Sequence, residues 1–429
     1  MKLAGGLLLL LSATGVASGQ DMAVQGPPAL TTGGASPDRP PAISPALFTA
    51  VMRATDNYPS IQSGRSQVRA ANQDVRAAKN LQLPSVGVQG VAVGTGQGLG
   101  SQFVVDQPVY SFGRIGATID RAKARRMVSE AGVDETVMAV ALDTITAYFD
   151  IARLAKQENI MAASLEEHQL LVDSISRRVA QEVSPQSDLE LARSRTAQLE
   201  QDIAMTIAQR QAATARLYQM VGEGYDPGNV PSYDPAIHHP DPAHAIEQAL
   251  ACSPTRHRLT AETLVARAET KAAKRAWLPQ LSAQYSYNDI IGSRAGLAVT
   301  AQTSGGLSNL AAAEAAKARE TSSQLDVYTA ERELRQRVAS DLVENASSRR
   351  RITSSGSAAS SAATVTESFK RQFVAGRRTW LDVMNATREA TSAELGTSDA
   401  EFSAMASAAR ILIQTCRWQP QARLTGSFP

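Results

Sequence analysis

The chain has 429 residues, a formal net charge of +2 and only 5% aromatic residues, and alanine is its commonest residue. A charge this small for the length gives no basis for nucleic-acid binding. The scarcity of large side chains disfavours round globular domains, whose cores consist mainly of Leu, Ile, Val and Phe. Because alanine has the highest helix propensity, the composition predicts long helices that pack closely.

The N-terminus has the pattern of an export signal. Lys2 precedes the apolar run "LAGGLLLLL", and small residues follow near Ala17. This order is typical of a signal peptide, which we assign to residues 1–19, and the apolar run is too short for a membrane-spanning helix. Residues 20–43 are rich in Pro, Gly and Thr, which predicts a disordered segment.

The sequence repeats itself at a spacing of 194 residues. Val179 and Asp188 in "RRVAQEVSPQSDLELARSR" correspond to Phe373 and Asp382 in "RQFVAGRRTWLDVMNATRE". The same register is kept over about 100 residues of the chain, which predicts a duplicated structural unit. The resulting division is a first repeat at 44–222, a loop at 223–242, a second repeat at 243–416 and a C-terminal tail at 417–429.

Each repeat contains one segment with the period of a β-hairpin. Apolar residues alternate with small or polar ones over residues 84–110 and again over 279–304. Strands of about ten residues with modest alternating hydrophobicity are typical of membrane β-barrels. Hairpins of a soluble protein would show a similar pattern, and the export signal favours the membrane interpretation.

Long helices are predicted between the hairpins and the turns. Residues 113–180 and 309–375 lack proline, and each would extend about 100 Å at 1.5 Å per residue. Shorter return helices follow the two turns. A second shorter helix, here called a climbing helix, is predicted before each hairpin, at 44–81 and 243–277. The lengths of one return helix and one climbing helix add up to the length of one long helix. This arithmetic pairs the first return helix with 243–277 and the second with the N-terminal helix 44–81.

Four strands per chain imply an oligomer. Four strands are too few to close a barrel, and open strand edges are not tolerated in lipid. Three chains would supply twelve strands and leave room for a channel. The sequence therefore predicts a homotrimer.

Several motifs resemble the TolC-like outer-membrane factors, also called outer-membrane efflux proteins. They are "QPVYSFGRIGATIDRAKA", "ITAYFDIARLAKQ", "SPQSDLELARS", "AGRRTWLDVMNATRE" and the "LP" pair before each hairpin. The resemblance covers about residues 44–416. It implies a mainly α fold with a membrane β-barrel portion, in which a trimeric 12-stranded barrel in the outer membrane continues as a long α-helical periplasmic tunnel.

The same resemblance implies the function and the partners. The chain would be an exit duct in the cell outer membrane, in contact with its lipid, with most residues in the periplasm. A periplasmic adaptor and an inner-membrane transporter would deliver substrates to it, in a tripartite efflux system or in type I secretion. No cysteine directly follows the predicted cleavage zone, which argues against a lipid anchor and slightly favours secretion.

The turn residues are the candidate gate. In the family this region carries acidic gate residues, and Asp382 matches one of them, while Asn385 occupies a position that is often acidic. Three copies of Asp382 would form an acidic ring, which selects cations. Alternatively, Asp382 caps a helix N-terminus, where an acid is favourable. The two roles are compatible.

Three further residues complete the predicted tip. Arg378 matches a family position that ties neighbouring coiled coils together, and the repeat makes Asp188 its expected partner. Phe373 occupies a position where relatives can have a hydrogen-bonding aromatic residue. Because Phe373 lacks a hydroxyl group, we expect it only to pack.

Cys252 and Cys416 are both expected at mid-height, where they form either a disulfide or two unpaired small apolar residues. The histidines at 238, 239 and 244 lack neighbouring ligands at metal-site spacing, which favours a polar loop. We therefore expect no metal, cofactor or catalytic residue.

The alternative assignment is a periplasmic coiled-coil adaptor or structural protein. Adaptors have one helical hairpin flanked by separate β-domains, whereas this chain has two equivalent helical hairpins.

Overall fold

The computed structural model describes residues 39–92, 99–288, 292–301, 308–420 and 423–424. All of them belong to one compact unit that begins at Arg39. The predicted signal peptide lies outside the described residues, as does most of the predicted disordered segment. Ile43, at the end of that segment, is fully buried, so the packed structure begins a few residues before the predicted boundary.

Helices and strands follow one another in the predicted order. The described elements are α1 (Pro45–Asn57), α2 (Pro59–Asn80), β1 (Ser85–Ala92), β2 (Leu99–Tyr110), α3 (Arg114–Ala180), α4 (Gln186–Val221), α5 (Ala245–Cys252), α6 (Pro254–Arg275), β3 (Gln280–Asn288), β4 (Gly292–Thr300), α7 (Ser308–Val374) and α8 (Trp380–Gln414).

The two long helices have the predicted bounds within one residue. Helices α3 and α7 each contain 67 residues, which corresponds to about 100 Å. The apolar stripes of α3 enter two separate clusters. One stripe, which includes Val137 and Ile151, packs with α1, α2 and α4, and the other, which includes Ile145 and Phe149, packs with α1 and α8. Helix α3 therefore has neighbours on both sides.

The climbing helices are each broken once, which the sequence analysis missed. Tyr58 separates α1 from α2 and Ser253 separates α5 from α6, both in extended conformation. Each precedes a proline, Pro59 or Pro254, and the proline ring disfavours helical conformation in the residue before it. The two prolines lie 195 residues apart (254 − 59), so the break belongs to the repeated unit.

The helices form four adjacent columns: α2 stacked on α4, then α3, then α6 stacked on α8, then α7. The stacking shows that the pairing of return and climbing helices predicted from their lengths is wrong. The α4 end meets the α2 start, where Leu217 and Val221 cluster with Ile61. The α8 end meets the junction of α5 and α6, and both α8 and α6 lie between α3 and α7. The N-terminal helix therefore completes the first return helix, and the climbing helix after the loop completes the second. Length fixes the sum of two helices but not which helix each one meets.

The loop at 223–242 carries the chain across the second repeat. The Tyr225 hydroxyl donates to the carbonyl of Ala46 at 2.7 Å, which fixes the loop start on α1. The His238 carbonyl accepts from the Asn345 amide on α7 at 3.3 Å. These contacts explain how the chain leaves α4 and reaches the opposite column.

The four strands form one antiparallel sheet in the order β1-β2-β3-β4. The register pairs Val86 with Val105, Val105 with Tyr285 and Tyr285 with Ala295. Within the described residues, the outer edges of β1 and β4 have no strand partner. The glycine-rich loop predicted between β1 and β2 falls largely on residues 93–98, which lie outside the described residues.

The chain is braced where the stacked helices meet. A disulfide joins Cys252 to Cys416 with a Cα–Cα distance of 6.1 Å, within the usual range for this bond. Arg423 packs on it, with Nη1 2.9 Å from Cys416 Sγ. The next backbone N–H, of Leu424, donates to the buried Asp134 carboxylate at 2.7 Å. The part of the predicted tail that is described therefore packs back onto α3.

None of the described helices is long and apolar enough to cross a membrane.

Replacing both cysteines by serine should destabilise the protein, since the bridge links residues separated by 164 positions. A bridge over such a distance contributes about 2–4 kcal/mol, mainly by restricting the unfolded chain. Chemical unfolding followed by circular dichroism should show a lower midpoint for the variant C252S/C416S, and reductant should lower the wild-type midpoint to a similar value. Reductant should leave the variant unchanged. Equal midpoints for oxidised wild type and variant would contradict a stabilising bridge.

Candidate functional site

The sheet has one apolar face, and that face is exposed in the single chain. Directly paired residues of antiparallel strands project to the same side, so the register assigns each side chain to a face. Val88 and Leu297 on this face are 72% and 71% exposed. The apolar face comprises Val86, Val88, Phe103, Val105, Leu281, Tyr285, Tyr287, Leu297 and Val299.

The opposite face of the same strands is polar. It includes Ser85, Gln102, Asp106, Gln284, Ser286 and Arg294. Strands with one apolar and one polar face occur in membrane barrels, which have lipid outside and water inside. Val104 is an apolar exception on the polar face, since it pairs with Gly87 and Ser286. The same alternation is present in the sequence, but only the register shows that the four strands put most of their large apolar residues on one side.

The turns between the long and return helices form the other candidate region, here called the tip (residues 167–192 and 367–388). Both turns need left-handed backbone. Glu182 has φ 59° and Gly376 has φ 72°, a conformation that glycine adopts readily because it has no side chain. Pro185 precedes α4 in extended conformation, and Thr379 precedes α8 in the same way.

Asp382 caps α8 through a reciprocal pair of hydrogen bonds with Thr379. The Asp382 N–H donates to Thr379 Oγ1 at 3.2 Å, and the Thr379 N–H donates to Asp382 Oδ2 at 3.2 Å. Hydrogen bonds from the Thr379 side chain and backbone, with Arg378 nearby, hold the pKa of Asp382 below its ordinary value. The carboxylate therefore stays charged at neutral pH. This geometry is a capping box, the simpler of the two roles expected for Asp382.

Arg378 is engaged within its own helical hairpin. Its guanidinium lies 3.8 Å from Asp382 Oδ2 and 4.3 Å from the centre of the Phe369 ring. Asp188 lies in the first turn of α4, on the neighbouring hairpin. No contact between Arg378 and Asp188 is recorded among the described residues of the single chain, so their pairing stays a prediction about neighbouring subunits.

Arg178 makes the contact that sequence reasoning missed. Its Nη2 donates to the carbonyl of Phe373 at 3.0 Å, and its guanidinium lies 4.2 Å from the centre of the Phe373 ring. Phe373 itself is buried, as expected for a residue that only packs. Arg178 thus joins α3 of the first repeat to α7 of the second. Its only sequence signal is a basic residue in the last turn of α3.

A small apolar cluster supports this contact. Ile175, Leu189, Phe373, Trp380 and Met384 pack together with their neighbours between the two hairpins. The Lys370 ammonium pairs with Glu167 across the same boundary and with Glu367 on its own helix. The tip of the single chain is therefore held by packing and charge together.

Asn385 faces a cavity of about 210 Å³ beside the tip. Arg195 of α4 and Arg388 of α8 line the same cavity. Asp202 of α4 also lines it, so the acidic group at this cavity comes from α4 and not from position 385. Asp382 is the acidic residue in the first turn of α8.

Among the described residues, no group of three or more His, Cys, Asp or Glu side chains is arranged to hold a metal ion. His238 lies in the loop and is buried against Tyr233, with ring centres 5.6 Å apart. Its Nδ1 lies 3.0 Å from the backbone N–H of Asp234.

Comparison with known proteins agrees with this architecture. Residues 50–223 match the sequence model of the family described as outer membrane efflux protein. No curated protein sequence matches the chain.

Solved structures extend the likeness to most of the chain. The fold is similar to that of CusC, with a TM-score of 0.79, 15% identity, and coverage of 90% of this chain and 95% of CusC. It is also similar to the outer membrane protein VceC of Vibrio cholerae, with a TM-score of 0.73, 16% identity, and coverage of 86% and 95%. For the CmeC outer membrane channel of Campylobacter jejuni the TM-score is 0.74 at 14% identity, with coverage of 86% and 85%. The resemblance to the TolC-like outer-membrane factors that the sequence predicts is therefore confirmed.

Proposed function

We propose that this protein is the outer-membrane exit duct of a tripartite efflux or type I secretion system. The observation that carries the proposal is the four-stranded sheet with one apolar face, attached directly to long helices. Such a sheet would sit in a membrane while the helices extend into an aqueous compartment. In a periplasmic adaptor with separate soluble β-domains, this apolar face would be exposed to water without a partner.

A homotrimer would pair the strand edges, and cover the exposed apolar side chains, that the described residues of a single chain leave without partners. Pairing β4 of one subunit with β1 of the next would close twelve strands into a barrel, which removes edges that lipid does not tolerate. The helices offer a matching contact, because α7 and the column of α2 and α4 lie at opposite margins of the chain. Leu325, Tyr328 and Val343 on α7 are exposed in the single chain and would be covered at such an interface. Head-to-tail contacts of this type close rings.

The tip would be the gate of the duct. Arg178 and Phe373 would hold the two hairpins of one subunit together, and Arg378 with Asp188 would hold neighbouring subunits. Three copies of Asp382 would place negative charge around the axis. The capping role of Asp382 supports this function, since the cap fixes the carboxylate in position.

The same tip would receive the periplasmic adaptor, through which an inner-membrane transporter supplies the substrate. Val374 is 81% exposed and Val183 is 66% exposed at the two turns. Apolar side chains at an exposed turn suit a partner surface. The substrate itself would be selected by the transporter, because no chemically selective pocket is required of a duct.

Trp277 should report insertion of the sheet into a bilayer. It is 53% exposed, close to the sheet, whereas the other two tryptophans, Trp380 and Trp418, are buried. In vesicles containing brominated phosphatidylcholine, part of the tryptophan fluorescence should be quenched, and the variant Trp277→Phe should lose the quenched part. Trp380→Phe is the matched control and should keep it. Quenching that persists unchanged in Trp277→Phe would contradict this location of the membrane boundary.

Loosening the tip should raise single-channel conductance in planar bilayers. Arg178→Ala removes a charged hydrogen bond and a cation–π contact, together about 1–3 kcal/mol, enough to change the ratio of closed to open tips severalfold. Arg177→Ala is the control, because it removes the neighbouring exposed arginine and the same charge. If both variants conduct like wild type, Arg178 does not hold the gate.

The pairing of Arg378 with Asp188 is tested by a double-mutant cycle in the same assay. Arg378→Ala and Asp188→Ala should each raise conductance, and the double variant should not exceed the larger single effect. Arg377→Ala is the matched control. Additive effects of the two substitutions would show that these residues act independently.

The acidic ring and the helix cap can be separated by two substitutions. Asp382→Asn removes the charge but keeps a hydrogen-bond acceptor for Thr379, whereas Thr379→Val removes the capping hydroxyl and keeps the charge. If three carboxylates face the pore, block by divalent cations should weaken severalfold in Asp382→Asn and stay near wild type in Thr379→Val. Unchanged block in Asp382→Asn would leave only the capping role.

A further inference from the structure

The helix ends that meet the sheet carry a concentration of positive charge. Arg76 and Lys79 lie in the last turns of α2, and Lys271, Lys274 and Arg275 lie in the last turns of α6. All five side chains are exposed. The sequence contains no acidic residue between 75 and 80 or between 270 and 275.

The repeat shows that this pattern is kept in both copies of the unit. Arg76 corresponds to Lys271 and Lys79 to Lys274, each 195 residues apart (271 − 76 and 274 − 79). The helix dipole favours a cation in the last turn, which accounts for Lys79 and Lys274. It does not account for a second cation one turn earlier in both helices.

The side of the wall on which α6 exposes these cations follows from contacts with the sheet. Leu281 lies on the apolar face, so the preceding residue, Gln280, projects to the polar face. Arg114, the first residue of α3, hydrogen-bonds to the Gln280 side chain. Arg114 therefore marks the side of α3 that continues the polar face.

Arg125 lies on that same side of α3, three turns further along. Its guanidinium pairs with Glu269 of α6 at 3.4 Å, so Glu269 also marks the polar side. At 100° per residue, Lys271 lies about 200° and Lys274 about 140° around the helix from Glu269. Both lysines therefore project to the side that continues the apolar face of the sheet.

The level of these lysines matches the boundary of the apolar face. Trp277 lies between Lys274 and the first strand residues and is half exposed. On the other hairpin, Tyr110 and Phe112 are exposed and in edge-to-face contact at 4.6 Å. Aromatic side chains at the end of an apolar surface are typical of the membrane–water interface, and basic side chains just beyond them reach headgroup phosphates.

We infer that Arg76, Lys79, Lys271 and Lys274 form a binding surface for the phosphate groups of an anionic glycerophospholipid in the adjoining leaflet. This inference rests on the proposed insertion of the sheet into a membrane. Each lysine supplies a compact charge and Arg76 a planar fork for phosphate oxygens. Arg275 is left out of the surface because its Nη1 donates to the Gly113 carbonyl at 3.2 Å and so braces the start of α3.

Native mass spectrometry of the purified full-length protein, titrated with phosphatidylglycerol in detergent, tests this surface. The variants K271Q/K274Q and R76Q/K79Q should each bind phosphatidylglycerol about tenfold more weakly than wild type. Each variant removes two basic side chains, and each of these contributes separately to the attraction for an anionic lipid surface. The matched control is R332Q/R337Q, which removes two exposed arginines from α7 far from the sheet. It should bind like wild type.

Phosphatidylcholine and inorganic phosphate distinguish the ligand sources. Phosphatidylcholine should bind weakly to all variants because its choline cancels the phosphate charge, and inorganic phosphate should displace phosphatidylglycerol poorly because it lacks the acyl chains. Unchanged phosphatidylglycerol binding in both test variants, an equal loss in the control, or efficient displacement by inorganic phosphate would each overturn the inference.

Conductance in a bilayer of phosphatidylcholine alone separates this inference from the proposed function. The test variants should still form channels there. If wild type forms no channel, the proposed function fails; if it forms channels but the lysine variants bind phosphatidylglycerol normally, only the lipid surface fails.

Discussion

The burial of two adjacent apolar stripes of α3 is the interaction on which the other elements depend. One stripe packs with α1, α2 and α4 and the other with α1 and α8, so a single helix holds members of both repeats. Its first residue, Arg114, is hydrogen-bonded to Gln280 of β3. Arg178, in its last turn, is hydrogen-bonded to Phe373 of α7. Because a packed helix of this length is stiff, α3 sets the distance between the sheet and the tip. Helix α7 has the same length, and the shorter helices match it as stacked pairs.

The repeat and the periodicities predicted most of the architecture because they are local properties. Proline-free stretches defined α3 and α7 within one residue, and alternation located both hairpins. The breaks at Pro59 and Pro254 are equally local, and the residues before them could have been recognised as poor helix formers. By contrast, the stacking of α2 on α4 and of α6 on α8 is decided by side chains that meet over long sequence distances, such as Leu217 with Ile61.

The candidate tip was predicted from the family resemblance and the repeat together. Asp382 and Phe373 were singled out because they match family positions, and the repeat pointed to Asp188 as the expected partner of Arg378. Arg178 corresponds to Gln372, so the repeat gave no sign that its guanidinium would reach the Phe373 carbonyl. Contacts between two different repeats cannot be read from the similarity of the repeats, since they depend on the positions at which the copies differ.

The distribution of buried residues along α7 suggests how a tip could move without disturbing the sheet. Near the junction of the stacked helices, α7 buries Val338, Asn345 and Ser348, and the next buried residue is Thr366. The intervening residues are mostly Ser, Ala and Thr, which offer little apolar surface for packing. The disulfide and the contact of Leu424 with Asp134 brace the chain on the sheet side of this stretch. Weakly packed segments open at low free-energy cost. A change in the contacts of Arg178 would therefore displace the tip half of α7, while the braced half keeps the strands in register.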